Sequence, residues 1–254
     1  MIYLDNAATT RMRPEVLDEM MPYLTEEYGN ASSAYRLGAK SKNAMEHARH
    51  SVAALIGAKD HEIYFTSGGS ESDNWALKAV ADANLGEKNH IITTNIEHHA
   101  ILHTAEYLER LGMDVTYLDV DENGRVSPED VERAIRPETC LISVMTANNE
   151  IGTIEPIKEI GEIAHRHGIL FHTDAVQAYG HISLDVNYCN IDMLSASAHK
   201  LGGPKGVGFL YIRDGVKIGS FIHGGAQERN RRAGTSNVPA MVGFGKAAEL
   251  RLGT

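Results

Sequence analysis

Helical spacing is clear at Met45, Ala48, Val52, Leu55 and Ile56, which recur mostly three or four positions apart and share one face of a helix. Gly57 follows, where a helix C-terminus takes a left-handed residue. The pattern then changes: "EIYFT" (62–66) reads as a buried strand, and "SGGS" turns into the helix-like "ESDNWALKAVADA". The same alternation recurs in "HIITT" before "HHAILHTAEYLERLG", "MDVTYLDV" before "SPEDVERAI", and "CLISVMTA" before "PIKEIGEIAHRHG". "ILFHTD" and the short "DMLSA" add two more strands, and "NVPAMVGFGKAAELRLGT" reads as a helix starting near Pro239. Strands alternating with helices predict an α/β fold, a mostly parallel mixed sheet sandwiched by helices. No repeat, low-complexity tract or linker interrupts the run, so residues 14–254 read as one domain behind an N-terminal segment, 1–13.

Composition narrows the function. A chain of 254 residues can bury a large core, and its 43% apolar and 23% charged residues are ordinary for a globular protein. Lys and Arg total 24 against 34 Asp and Glu, a formal charge of −10, and no basic block forms a phosphate-tracking stripe; nucleic acid is not an expected partner. The two cysteines, Cys140 and Cys189, exclude a disulfide framework and fit a reducing compartment, so a cytoplasmic location is expected. "MIYLDNAATT" lacks a basic region followed by an apolar one, and no apolar run approaches membrane-spanning length, so neither a signal peptide nor a membrane anchor is expected.

In open α/β sheets ligands bind beyond the C-terminal ends of the strands, so the residues just after each strand are the candidates. Ser67-Gly68-Gly69-Ser70 follows "EIYFT" and is either a chain reversal or a phosphate cradle, since glycines there let backbone N–H groups and the helix dipole approach an anion. Asp174 ends "ILFHTD", with Gln177 three residues on; it is either a helix cap or a carboxylate that keeps a pyridine nitrogen protonated, making the ring an electron sink. His98 either starts a helix as a hydrogen bonder or lies flat against a cofactor ring. Lys200 in "SASAHKLGGPKG" is a solvated charge unless desolvation makes it an amine nucleophile that forms a Schiff base with a carbonyl. A phosphate-type turn, a strand-end acid and a strand-end lysine in this order are the parts of a pyridoxal phosphate site.

With these parts in place, the chain resembles the cysteine desulfurases of the class V aminotransferase family, which have the type I pyridoxal phosphate fold. The resemblance runs through "YLDNAATT", "GNASSAYRLG", "FTSGGSESDN", "EHHAI", "ANNEIGTIEPI", "FHTDAVQAYG", "SASAHKLGGPKGVGFLYI" and "GGAQERNRRAGTSNVP", essentially the whole chain. It implies pyridoxal 5'-phosphate as cofactor, Lys200 as the Schiff-base lysine and, with the stacking residue His98, the catalytic pair. It implies Asp174 as the partner of the ring nitrogen, and Gln177 and Asn149 near the ring hydroxyl. Backbone at Gly69 and the side chains of Ser70, Ser197 and His199 would hold the phosphate. Many relatives have Thr at the position of Ser70, and the hydroxyl is retained. Thr235 in "RRAGTSN" would reach the neighbouring subunit's phosphate, which implies a homodimer. The implied reaction converts L-cysteine to L-alanine and passes sulfur to an acceptor thiol, for iron-sulfur cluster or thiolation pathways, with a sulfur-acceptor or iron-sulfur scaffold protein as partner.

Relatives continue past Thr254 into a small C-terminal domain that carries a nucleophilic cysteine and a carboxylate-clamping arginine, so the expectation is a large domain without its small domain. Cys140 lies inside an apolar strand and Cys189 at the end of a strand opposite to Lys200, so neither is expected to supply the thiolate. Three other readings remain: a noncatalytic cofactor-holding or partner-binding remnant, a selenocysteine lyase or other class V enzyme, and a metal protein built on His99, His103 and Glu97. The last is not expected, because histidine pairs at that spacing arise easily among 13 histidines.

Overall fold

The computed structural model describes residues 2–252; Met1, Gly253 and Thr254, the outer ends of the two expected segments, lie outside them. Among the described residues seven strands form one sheet: β1 (Ile63–Thr66), β2 (His90–Thr94), β3 (Asp114–Leu118), β4 (Thr139–Ser143), β5 (Leu170–Asp174), β6 (Met193–Ser197) and β7 (Gly208–Ile212). Their order across the sheet is β1-β7-β6-β5-β4-β2-β3. From β6 to β3 every neighbouring pair is parallel, whereas β7 runs antiparallel to both β6 and β1. The helices are α1 (Pro14–Thr25), α2 (Arg36–Ala54), α3 (Gly69–Ala83), α4 (His99–Arg110), α5 (Pro128–Ala134), α6 (Ile157–Arg166), the single turn α7 (Gln227–Asn230) and α8 (Val238–Leu252). No helix among the described residues is long and apolar enough to cross a membrane.

Successive side chains of a strand point to opposite faces, and both faces of this sheet are covered. Ile63, Phe65, Ile92, Ile142, Phe171 and Phe209 join one core with Val52 of α2, Ile160 of α6 and Phe244 of α8. Their neighbours Tyr64, Ile91, Leu141, Met193 and Leu210 join the other, with Trp75 and Val80 of α3 and Ile101 of α4. Hence the strands read as continuous apolar runs rather than alternating ones, as a sheet buried on both sides requires. The sandwich is the one the sequence pattern predicts.

Three local differences bear on the site. Helix α3 begins at Gly69, so half of "SGGS" belongs to the helix; Gly68, with φ 154°, makes the turn. β7 then starts against that turn, where a Cβ on Gly208 would lie 2.4 Å from the Ala196 carbonyl oxygen and 2.7 Å from Gly68 Cα. Asp174 is followed by a tight turn rather than a helix, with the amides of Ala178 and Tyr179 bonding to the Ala175 carbonyl.

The chain after β7 is tied back by charge. Glu228, Arg229 and Asn230 have φ of 43°, 56° and 66°, a left-handed run that costs energy for non-glycine residues. The buried Glu228 carboxylate offsets it, accepting from Arg49 of α2 at 2.8 and 3.0 Å and from the Phe65 amide at 2.9 Å. Arg232 then forks onto Glu71 in the first turn of α3, at 2.7 and 3.1 Å.

Candidate active site

All strands but β7 point the same way, so the residues after β1, β2, β4, β5 and β6 converge on one edge. A cleft of about 510 Å³ opens there, lined by Gly69, Ser70, Asp73, His98, Asn149, Asp174, Gln177, Ser197, His199 and Lys200, together with Asp5, Ala7 and Ala8. Nine of the ten expected site residues are therefore brought together; Thr235 is exposed and lies outside the cleft.

The N-terminal segment forms one wall. Thr10 donates through both its amide and its hydroxyl to the His199 carbonyl, at 2.9 and 2.6 Å, and accepts from the Gly202 amide at 2.8 Å. This holds Ala7 and Ala8 over the lysine, whose Nζ donates to the Ala8 carbonyl at 2.9 Å and to the Ala7 carbonyl. Gln177 Nε2 reaches the same Ala7 carbonyl at 2.9 Å. The reading of "MIYLDNAATT" as a mere leading segment missed this role; its signal was the dense Asp-Asn-Ala-Ala-Thr-Thr run, which no helix or strand pattern explains.

Burial pushes the Lys200 amine below its ordinary value, and the charges of Asp174 and Asp5 oppose that shift. Asp174 is fully enclosed: burial raises its carboxyl, while the Val176 amide, His98 and Lys200 pull it back. Its Oδ1 accepts from Val176 N–H at 2.8 Å, so Asp174 caps its turn and still lines the cleft. His98 likewise serves both readings, since its Nδ1 accepts from the Ala100 amide at 3.1 Å as the cap of α4 and it too lines the cleft. His199 Nδ1 is held by the Thr9 hydroxyl at 3.1 Å, and burial lowers its ring pKa.

One buried acid, Asp73, escaped the sequence reading, and a second, Glu97, entered it only beside the His99 and His103 pair. Asp73 sits in α3 one turn after Gly69, a spacing that puts it on the face of the helix that meets the cleft. Glu97, next to His98, accepts from the Thr94 hydroxyl at 2.8 Å and the Met145 amide at 2.9 Å, and burial pushes it up to about 8. It joins the β2–α4 turn to the chain beyond β4 and does not join the stacked His99 and His103 rings, whose centroids are 5.1 Å apart, in a ligand set. Among the described residues, metal-ligand spacing occurs instead at Asp73, His98 and Asp174, within 4.8 Å of one another. Both thiols are buried and raised by burial, Cys140 to about 11.

These residues fit pyridoxal phosphate. A half-buried amine shares the cleft with an enclosed carboxylate, and the first-turn amides of α3, which have no carbonyl partner within the helix, open beside Ser70 and Ser197. A side chain at Gly69 would meet Val176 Cγ2 at 2.6 Å, so bare backbone is kept at this end.

The chain belongs to the class-V aminotransferase family, whose model matches residues 2–252. Its fold is that of the large domain of type I pyridoxal phosphate enzymes, and pyridoxal phosphate is the family's cofactor. It is 61% identical to "Cysteine desulfurase IscS" of Methanosarcina thermophila over 98% of its length, and 55% identical to the protein so named in Dictyoglomus turgidum over 99%. The chain spans 62% and 64% of those two relatives. Among solved structures it matches a NifS-like protein with a TM-score of 0.97 at 46% identity, covering 99% of this chain and 70% of that one. It matches SspA in complex with cysteine with a TM-score of 0.96, also at 46% identity, covering 98% and 72%.

Proposed function

We propose that this chain supplies the cofactor-holding part of a cysteine desulfurase, which converts L-cysteine to L-alanine and hands the sulfur to an acceptor thiol. The observation that carries the reading is the meeting of Lys200 and Asp174 at the ends of β6 and β5 in one cleft, beside the open first turn of α3. When bound, pyridoxal phosphate supplies the electron sink for charge that develops at the amino acid Cα.

The family resemblance gives each residue its part, and the cleft has room for it. Asp174, facing the cleft, would hold a protonated ring nitrogen, with His98, Asn149 and Gln177 around the ring. The Gly69 amide, the Ser70 and Ser197 hydroxyls and His199 would hold the phosphate, helped by the dipole of α3. Lys200 attaches the cofactor, and the depression of its pKa by burial favours the neutral amine that can take the Cα proton. The acceptor thiol is neither Cys140 nor Cys189: both are buried, neither lines the cleft, and burial holds both as thiols. L-cysteine as substrate is supported by the match to a structure containing it.

Incubation with pyridoxal phosphate, borohydride reduction and peptide mass mapping test the reading. The pyridoxyl mass should fall on Lys200 and vanish in Lys200→Ala. A label on Lys205, or none, overturns it.

A further inference from the structure

The carboxyl of Asp73 is 1% exposed and has an oxygen within 4.8 Å of one on the enclosed Asp174. Two carboxylates so close and so dry do not both ionise at neutral pH. We propose that Asp73 holds the single proton of this pair and thereby fixes Asp174 as the anion of the ring-nitrogen site. Asp73 is then a positioning residue, acting through Asp174; the assignment of Asp174 to the ring nitrogen rests on the function proposed above.

The surroundings of the two acids are unequal. Asp174 has the Val176 N–H at 2.8 Å, and the charges of His98 and Lys200 favour its ionised form. Asp73 faces Asp174 and His172 on β5, Ser195 on β6 and Glu97 on the β2–α4 turn. Of these, the Ser195 hydroxyl favours its anion, while burial and Asp174 favour the acid; Glu97, itself pushed up to about 8 by burial, brings no charge there at neutral pH. Its Oδ1 has no hydrogen-bond partner. The nearest base, His172, is 3.8 Å away at Nε2 but brings no positive charge. Burial pushes its pKa down to about 3, and its two ring nitrogens are engaged by the Ser143 and Ser195 hydroxyls at 2.9 and 3.0 Å. The proton therefore sits on the acid farther from Lys200. With it there, the pair carries one negative charge, on the carboxylate whose charge opposes the depression of the Lys200 amine.

The test uses the cofactor-free chain with carbon-13 in the aspartate carboxyls, followed by NMR across pH. We expect a carboxyl resonance that remains in the protonated position at about pH 7, disappears in Asp73→Asn, and titrates at lower pH in Asp174→Asn because the like charge is gone. A protonated resonance that survives in Asp73→Asn but is lost in Asp174→Asn puts the proton on the wrong acid and overturns the proposal. So does a titration of Asp73 that is indifferent to Asp174→Asn. Cofactor binding gives a second reading. Asp73→Leu, which removes the polar neighbour of the anion, should weaken pyridoxal phosphate binding by at least about tenfold, and Asp73→Asn should recover most of the loss. Recovery by Asp73→Glu alone would mean that a charge is needed at this position, against the proposal. Failure of the unaltered chain to bind the cofactor would instead defeat the proposed function, leaving the carboxyl measurement to decide where the proton resides.

Discussion

Asp174 shows how a single side chain can satisfy two readings that the sequence leaves open. Its Oδ1 caps the turn by accepting from the Val176 amide, while the carboxyl as a whole lines the cleft. An asparagine keeps the acceptor and loses the charge, so the two roles separate. Asp174→Asn should leave the thermal unfolding midpoint close to that of the parent, yet slow Cα proton exchange in a cofactor-bound amino acid by on the order of a hundredfold or more. A large drop in the midpoint with unchanged exchange would make the residue a cap and nothing else. Lys200 and His98 stood out because each lies a few residues past a strand, where chemistry is looked for in such folds, whereas Ser197 and His199 came in only through the family resemblance. Asp73 did neither, because within "ESDNW" it reads as one polar residue of a helix, and only the packing of α3 on β5 brings it beside Asp174.

At the scale of elements, apolar runs and glycine punctuation revealed six of the seven strands and the order in which they alternate with helices. β7 and α1 were not singled out. The run "GVGFLYI" follows β6 without an intervening helical pattern, and antiparallel return leaves no periodic signal of its own. The connection between β2 and α4 is tied by Glu97, which the sequence reading considered only as a neighbour of the His99 and His103 pair. Its folded pKa of about 8 lies above the ordinary 4.5, so between those values the folded chain keeps a proton that the unfolded chain releases. The stability from this group is full below about pH 4.5 and declines as pH rises to about 8, with a limiting slope of about 1.4 kcal/mol per pH unit. Glu97→Gln removes this titration and keeps an acceptor for Thr94 and Met145. Denaturant midpoints at about pH 5 and about pH 9 should show the variant gaining on the parent at the higher pH; equal pH dependence in the two proteins would show that Glu97 is ionised in the fold.

At the scale of the molecule, the segment after β7 matters most. Glu228 is buried on Arg49 and Arg232 is forked onto Glu71, so "RRAGTSN" leaves the body beside the first turn of α3 with Thr235 exposed. The family resemblance implies a homodimer in which Thr235 would serve the partner's phosphate, and we propose that assembly here. Light scattering should find a dimer, and Thr235→Val should lower pyridoxal phosphate affinity by about tenfold, as loss of a hydrogen bond to a charged group implies. A monomer saturated with cofactor would refute the arrangement. The late strand β7 also has a consequence for biosynthesis. Ile63 finds its sheet partner only in Tyr211, and the Gly68 turn packs on Gly208, so the anion-binding end of the cleft waits for a stretch of chain made long after it. Loop closure over such a distance is slow. On the ribosome the nascent chain should therefore become able to capture its vitamin only after the residues of β7 have emerged from the exit tunnel, which makes cofactor uptake a reporter of the completed sheet.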